Sequence, residues 1–232
     1  MIRLADKSDL FYKPTASLVY ISCLQKAFSG TRLQEDMWVQ TQGVEKVGLI
    51  ARNGGRLYVY SSGENTDELA EFLGVIGCES LLTEESAAKA LGLKVTKEYN
   101  FLYRRSNGIF KKTEVSLKGL FSGLSSGLDG DIALPSFETF APDISHRLRH
   151  GGAVAVINDF GAGLAFLGDG CAIISGIAVM AEHREKGYGS AILNELSGHI
   201  NGDLFVLANE QNIPFYIKNG FKACGTAVIG EF

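Results

Sequence analysis

The chain has 232 residues, enough for one large domain or two small ones with a substantial core. A net charge of −4 with no long basic run excludes a general nucleic-acid binder, and no apolar stretch reaches membrane-spanning length. Cys23, Cys78, Cys171 and Cys224 are scattered without a C-x-x-C pair, and residues 1–9 lack the apolar core of a signal peptide; reduced thiols, a cytoplasmic location and no metal site are expected.

Leu18, Val19, Ile21, Leu24, Ala27 and Phe28 recur at helical spacing over 17–28, with Ser29-Gly30 as the stop. Strands are predicted at 37–39, 44–51 and 57–60, the last two joined through Asn53-Gly54, a strong hairpin signal. A helix follows over 65–76, with Asn65 or Thr66 as N-cap and Asp67 and Glu68 in its first turn. Then come a strand at 80–82, a helix from Thr83 through Leu91 closed by Gly92, and a strand over 95–103. Residues 106–112 are polar and glycine-bearing and read as a linker. Beyond it, helices are predicted at 117–128 and 137–149, and a hairpin of 153–157 and 164–167 turns around Asp159-Phe160-Gly161. A strand at 173–180, a turn at 184–190, a helix through 200, a strand from 204, a helix ending at Gly220 and a last strand at Val228-Ile229 complete the chain. The second half repeats the order of the first at the level of pattern, not identity. The predicted fold class is α/β, a mixed sheet flanked by helices, in two tandem halves, 1–106 and 107–232.

The chemistry concentrates after the apolar strand Ile173-Ile174-Ser175-Gly176-Ile177-Ala178-Val179-Met180. A glycine turn there leads into a helix, whose first N–H groups lack intrahelical partners and carry the positive end of the helix dipole. Gly187 and Gly189 would let a phosphate approach the main chain, and Arg184 and Lys186 add positive charge. The familiar nucleotide loops do not fit. Gly189 is followed by Ser190-Ala191 and not by Lys-Ser or Lys-Thr, and Gly187-Tyr188-Gly189 lacks the third glycine of a dinucleotide fingerprint.

The spacing R-x-x-G-x-G after a strand resembles the acetyl-coenzyme A loop of the GNAT superfamily of N-acetyltransferases. Downstream, a strand ending in Leu207-Ala208-Asn209 leads to Phe215-Tyr216-Ile217-Lys218-Asn219-Gly220-Phe221. This is similar in order and spacing to the second GNAT motif. The resemblance implies two tandem GNAT-like halves and acetyl-CoA as co-substrate. It puts Arg184, Glu185, Lys186, Gly187, Tyr188, Gly189 and Ser190 on the pyrophosphate. Ile177, Ala178 and Val179 would lie along the pantetheine arm through backbone groups, with Asn209 bonding the same arm and Tyr216 as the acid for the departing thiolate. In the first half the equivalent loop reads Ser61-Ser62-Gly63-Glu64-Asn65-Thr66-Asp67-Glu68, with three carboxylates and no arginine. Those acids would repel a pyrophosphate, so one cofactor per chain is expected.

Some family members carry a glutamate on the central strand, where this chain has Ile173-Ile174-Ser175-Gly176. The base is therefore open between Glu182, Glu210 and a water relay. The acceptor is read as a small-molecule amine; a protein or peptide amine, or a non-catalytic acyl-CoA-binding module, are the alternatives. Exchange of the last strand between subunits would make a homodimer. Plainer readings stand beside these: Arg184 and Lys186 as solvated charges, Tyr216 packed beside Phe215, and Asn209 as a helix cap. His146 and His150, at i,i+4 with no third ligand near, read as a charged helix face, and His183 as an exposed turn residue. Trp38, Tyr58, Tyr60, Phe72, Tyr99, Phe101 and Tyr103 read as core.

Overall fold

A computed structural model describes residues 1–28, 36–127 and 134–232. In chain order its elements are β1 (Ile2–Leu4), α1 (Ala16–Phe28), β2 (Met37–Gln42), β3 (Glu45–Asn53), β4 (Arg56–Ser61), α2 (Thr66–Ile76), β5 (Ser80–Glu84), α3 (Glu85–Ala90) and β6 (Lys94–Asn107). They continue as α4 (Leu117–Gly127), α5 (Phe137–Arg149), β7 (Ala153–Asn158), β8 (Gly161–Leu167), β9 (Cys171–Val179), α6 (Tyr188–Gly198), β10 (Asn201–Ala208), α7 (Ile213–Lys218) and β11 (Lys222–Glu231). The expected mixed sheet flanked by helices is what the chain forms, and the α/β class holds. Two compact units are present: Met1–Leu102 with Leu207–Phe232, and Tyr103–Val206.

In the first unit the strands run β1-β2-β3-β4-β5-β11, followed by residues 94–102 of β6. The β3–β4 hairpin turns through Gly54 at φ +59°, a left-handed conformation open to glycine at little cost. β4 and β5 are parallel, so their connection must cross over the sheet, and α2 is that crossover. It seals Leu69 and Leu73 over Ile50, Leu57, Val59 and Leu81. β11 lies antiparallel to β5, from Ala227 opposite Glu84 to Gly230 opposite Leu81, with residues 94–102 of β6 on its other side.

In the second unit the order is β6-β10-β9-β8-β7, with the 103–107 end of β6 at one edge. Arg105 bonds Asp203 at 3.1 Å, and Tyr103 stacks on Phe205 at 6.0 Å. α4 and α5 cover one face, packing Leu120, Leu124, Phe140 and Ile144 on Ala155, Leu164 and Ala178. α6 is the crossover between the parallel strands β9 and β10 and packs against β8, where Gly163 leaves room for Ile192 and Leu196.

Several boundaries differ from the sequence reading for reasons of pairing. Thr83 ends no loop and starts no helix; it lies in β5, its hydroxyl donating to the Val59 carbonyl at 2.6 Å. Ser106 and Asn107, read as linker, belong to β6, because the strand is extended by a partner distant in sequence. Asn65 precedes α2 in a left-handed conformation at φ 52° and its side chain caps nothing. β1 has only three residues and leaves no periodic trace. Ser29, Gly30 and Leu128 lie outside the described residues.

Candidate functional site

β9 is the strand on which the site is built. Its ladder with β8 carries one irregularity: Leu164 faces Gly176 and Ala165 faces Ile174, so Ser175 is an extra, bulged residue. Its parallel ladder with β10 covers only Cys171–Ile174, opposite Asp203–Val206. Past the bulge, Gly176, Ile177, Ala178 and Val179 pair on the β8 side alone. An edge of this kind offers unpaired amides and carbonyls to an extended chain. Gly127, at the end of α4, lies close over it; a Cβ there would come within 2.6 Å of the Ala178 Cβ and 2.7 Å of the Val179 nitrogen.

The turn after β9 presents donors to solvent. Glu185, at φ 62°, and Gly187, at φ 85°, both have left-handed backbones, while Lys186 between them does not. Such alternation makes successive N–H groups converge into a concave anion nest. Gly187 is the N-cap of α6, and its carbonyl accepts from the amides of Ser190 and Ala191 at 3.1 and 3.2 Å. Among the described residues, the five amides from Glu185 to Gly189 donate to no protein oxygen. Glu185, Lys186 and Gly187 are exposed, and Tyr188, Gly189 and Ser190 half-buried. No protein atom lies within 4 Å of where a Gly187 Cβ would sit. The concavity is therefore open, and its donor set suits a phosphate or diphosphate.

The side chains of the turn hold it in shape. Arg184 donates from Nε to the Val179 carbonyl at 3.4 Å and from Nη2 to the Gly127 carbonyl at 3.3 Å, tying the end of β9 to the end of α4. Lys186 donates to the Glu182 carbonyl at 2.8 Å, spanning the 3-10 turn Ala181–His183. Sequence reasoning missed the ring cluster beside them. Phe160, from the β7–β8 turn, lies flat on Tyr188 with centroids 3.8 Å apart, and His183 meets both rings edge-on. His183 is thus half-buried between aromatics and not a free turn residue. His146 and His150 stack on each other at 4.2 Å on α5.

Asn209 and Tyr216 belong to the first unit by contact. The Asn209 side chain accepts from the Asn212 amide at 3.2 Å, so it caps the 3-10 turn Glu210–Asn212 that precedes α7. Tyr216 is buried, its ring edge-on to Phe215 and Phe221. Burial pushes its phenol well above the ordinary tyrosine range, so a pKa matched to a thiol's does not describe this residue. At the head of α2 the chemistry is of opposite sign to that at α6. Gln40 donates to Glu68 at 3.0 Å and to the Asn65 carbonyl at 2.9 Å, and the Gln40 bond holds the Glu68 carboxyl below its usual range.

Residues 149–223 match the family model of the acetyltransferase (GNAT) domain. The fold as a whole is similar to a GCN5-related N-acetyltransferase from Sphaerobacter thermophilus, at TM-score 0.58 and 13% identity over 99% of this chain and 94% of that one. A GNAT-family acetyltransferase from Colwellia psychrerythraea superposes at TM-score 0.51 and 14% identity, over 100% of this chain and 99% of the other. A GCN5-related N-acetyltransferase from Kribbella flavida gives 0.52 and 13%, over 91% and 93%. No curated protein matches the chain in sequence. Among the described residues no helix is long and apolar enough to cross a membrane.

Proposed function

We propose that this chain, whose residues 149–223 match the model of the GNAT acetyltransferase domain, is an N-acetyltransferase that moves the acetyl group of acetyl-CoA to the primary amine of a small molecule. The observation that carries this reading is the run of five unpartnered amides from Glu185 to Gly189 at the open head of α6. Those amides would hold the diphosphate, with Ser190 following in the first turn of the helix. Arg184 and Lys186 shape the nest through their carbonyl contacts and supply a positive field. The side of Ile177, Ala178 and Val179 that ladders with no strand, where Arg184 holds the Val179 carbonyl, is assigned to the amide-bearing pantetheine arm, and Asn209 to the same arm. The co-substrate supplies an activated thioester.

Tyr216 is assigned as the hydrogen-bond donor to the departing sulfur; its raised pKa keeps the O–H intact across working pH. Water is assigned as the proton acceptor for the amine, since β9 carries no carboxylate. We take 1–106 as a degenerate half and 107–232 as the catalytic half, with one co-substrate per chain. The acidic head of α2, where Gln40 fixes Glu68, supports that count. A non-catalytic acyl-CoA-binding module is the second reading, favoured by the buried phenol and the missing carboxylate.

Calorimetric titration with CoA and thiol release from acetyl-CoA against a panel of small amines and lysine peptides test the assignment. Micromolar binding with turnover on a small amine is the expected result. Binding without turnover on any amine gives the second reading, and no binding removes both.

A further inference from the structure

We infer that Ser175 supplies a side-chain hydrogen bond to the thioester carbonyl during acetyl transfer; the inference rests on the function proposed above. Ser175 is the one exposed residue of β9, in a strand whose four preceding residues are buried. It is the bulged residue, and it directly follows Ile174, the last residue paired with β10. It therefore sits at the fork where the two parallel strands cease to bond. The register fixes its face. Phe166 opposes Ile173 and Leu164 opposes Gly176, and both Leu164 and Phe166 pack with the α4–α5 cluster. Ser175 shares the position opposite Leu164 and so lies on that side of the sheet, exposed. Among the described residues no protein group bonds its hydroxyl. The serine in this place adds nothing to the buried core and puts an exposed O–H beside the unpaired edge.

In the step itself the amine nitrogen attacks the thioester carbon, the C–N bond forms and the C–S bond breaks. Sulfur leaves with the electron pair, and the surplus nitrogen proton passes to solvent. Ser175 donates to the carbonyl oxygen while that oxygen carries negative charge, which is where a fixed donor lowers the barrier most.

The test needs no knowledge of the acceptor, because hydroxylamine can serve as a minimal nitrogen nucleophile. With acetyl-CoA labelled with carbon-13 at the carbonyl, the bound C=O stretch should fall on binding to the wild type. In Ser175→Ala most of that fall should vanish, thiol release should slow on the order of 100-fold, and CoA affinity should stay within about twofold, since no diphosphate donor is touched. Ser175→Thr, which keeps a hydroxyl, should restore the shift. If Ser175→Ala keeps both the shifted stretch and the wild-type rate, the inference is wrong while the function stands. If the wild type does not bind CoA, the function itself is wrong and this inference falls with it.

Discussion

Replacing Gly187 with alanine separates what the turn does for the fold from what it does for a ligand. The backbone at this residue is left-handed, at φ 85°, so a Cβ costs about 1–2 kcal/mol of conformational strain. No protein atom lies within 4 Å of the new methyl, so there is no clash to add. For a chain of this length that strain lowers the melting temperature by about 2–8 °C. Binding should suffer more, because the methyl projects into the space that a phosphate must enter to reach the amides. Loss of one hydrogen bond to a charged oxygen removes about 1.5–3 kcal/mol, or roughly 10- to 100-fold in affinity for CoA. Gly198→Ala, at the far end of the same helix, meets equally open space at an ordinary φ and should leave the affinity unchanged. Calorimetry with CoA and a thermal melt on each variant suffice. Wild-type CoA affinity in Gly187→Ala would refute the placement of the diphosphate on this turn.

Tyr216→Phe should lower turnover without changing CoA affinity, and the wild-type rate should show no falling limb near pH ~10, where an ordinary phenol ionises. The sign follows from burial: the folded pKa is raised, so the stability held by the neutral phenol is complete below ~10 and is lost as pH rises through the folded value. A native tyrosinate signal from this residue near pH ~10 would contradict its burial. Glu84 accepts from the Ser17 amide at 3.0 Å and hydroxyl at 2.9 Å, but burial dominates and raises its pKa. Its contribution is therefore complete below the unfolded carboxyl value of about 4.3 and declines as pH rises through the raised one. Glu84→Gln should flatten that part of the urea-midpoint profile, and an unchanged slope would count against it. Fragments 1–106 and 107–232, expressed apart, should each lack cooperative unfolding by circular dichroism and regain it when mixed. A sharp independent transition in either would overturn the unit assignment.

Much of the architecture was legible because its elements carry local signals. Helix α5 is found at the predicted residues, since its apolar positions repeat at helical spacing and Ser136 caps its start. The β3–β4 hairpin was announced by Asn53-Gly54, and the turn between β9 and α6 by Gly187 and Gly189. What the residues did not announce depends on partners distant in sequence. β11 was predicted as Val228-Ile229 and spans Lys222–Glu231 because β5 supplies a ladder for it. Arg184 carries the charge of a phosphate ligand, yet in the fold it ties two carbonyls together, which only the approach of α4 to β9 brings about. The ring of Phe160 on Tyr188 arises in the same way, from a hairpin turn and a helix head that no spacing rule connects. Ser175 looked like an absence of acid; its signal was a hydroxyl in an otherwise apolar strand.

The division of the chain into units follows from the same non-local pairing. A sequence boundary at 106/107 separates two complete sets of elements, but the ladders do not respect it. Residues 103–107 of β6 lie in the second unit, where Arg105 meets Asp203, and Leu207–Phe232 lie in the first, where β11 borders β5. The first half thus contributes the 103–107 end of β6 to the second unit, and the second half contributes β11 to the first. A sheet edge left by removing either strand would expose a row of unpaired amides and carbonyls, which is a costly state for a buried ladder. Each unit therefore draws residues from both halves of the sequence. At the head of α2, which belongs to the first unit, Asp67 and Glu68 suit the positive end of the helix dipole, so the acidic turn stabilises the helix that spans the parallel strands β4 and β5.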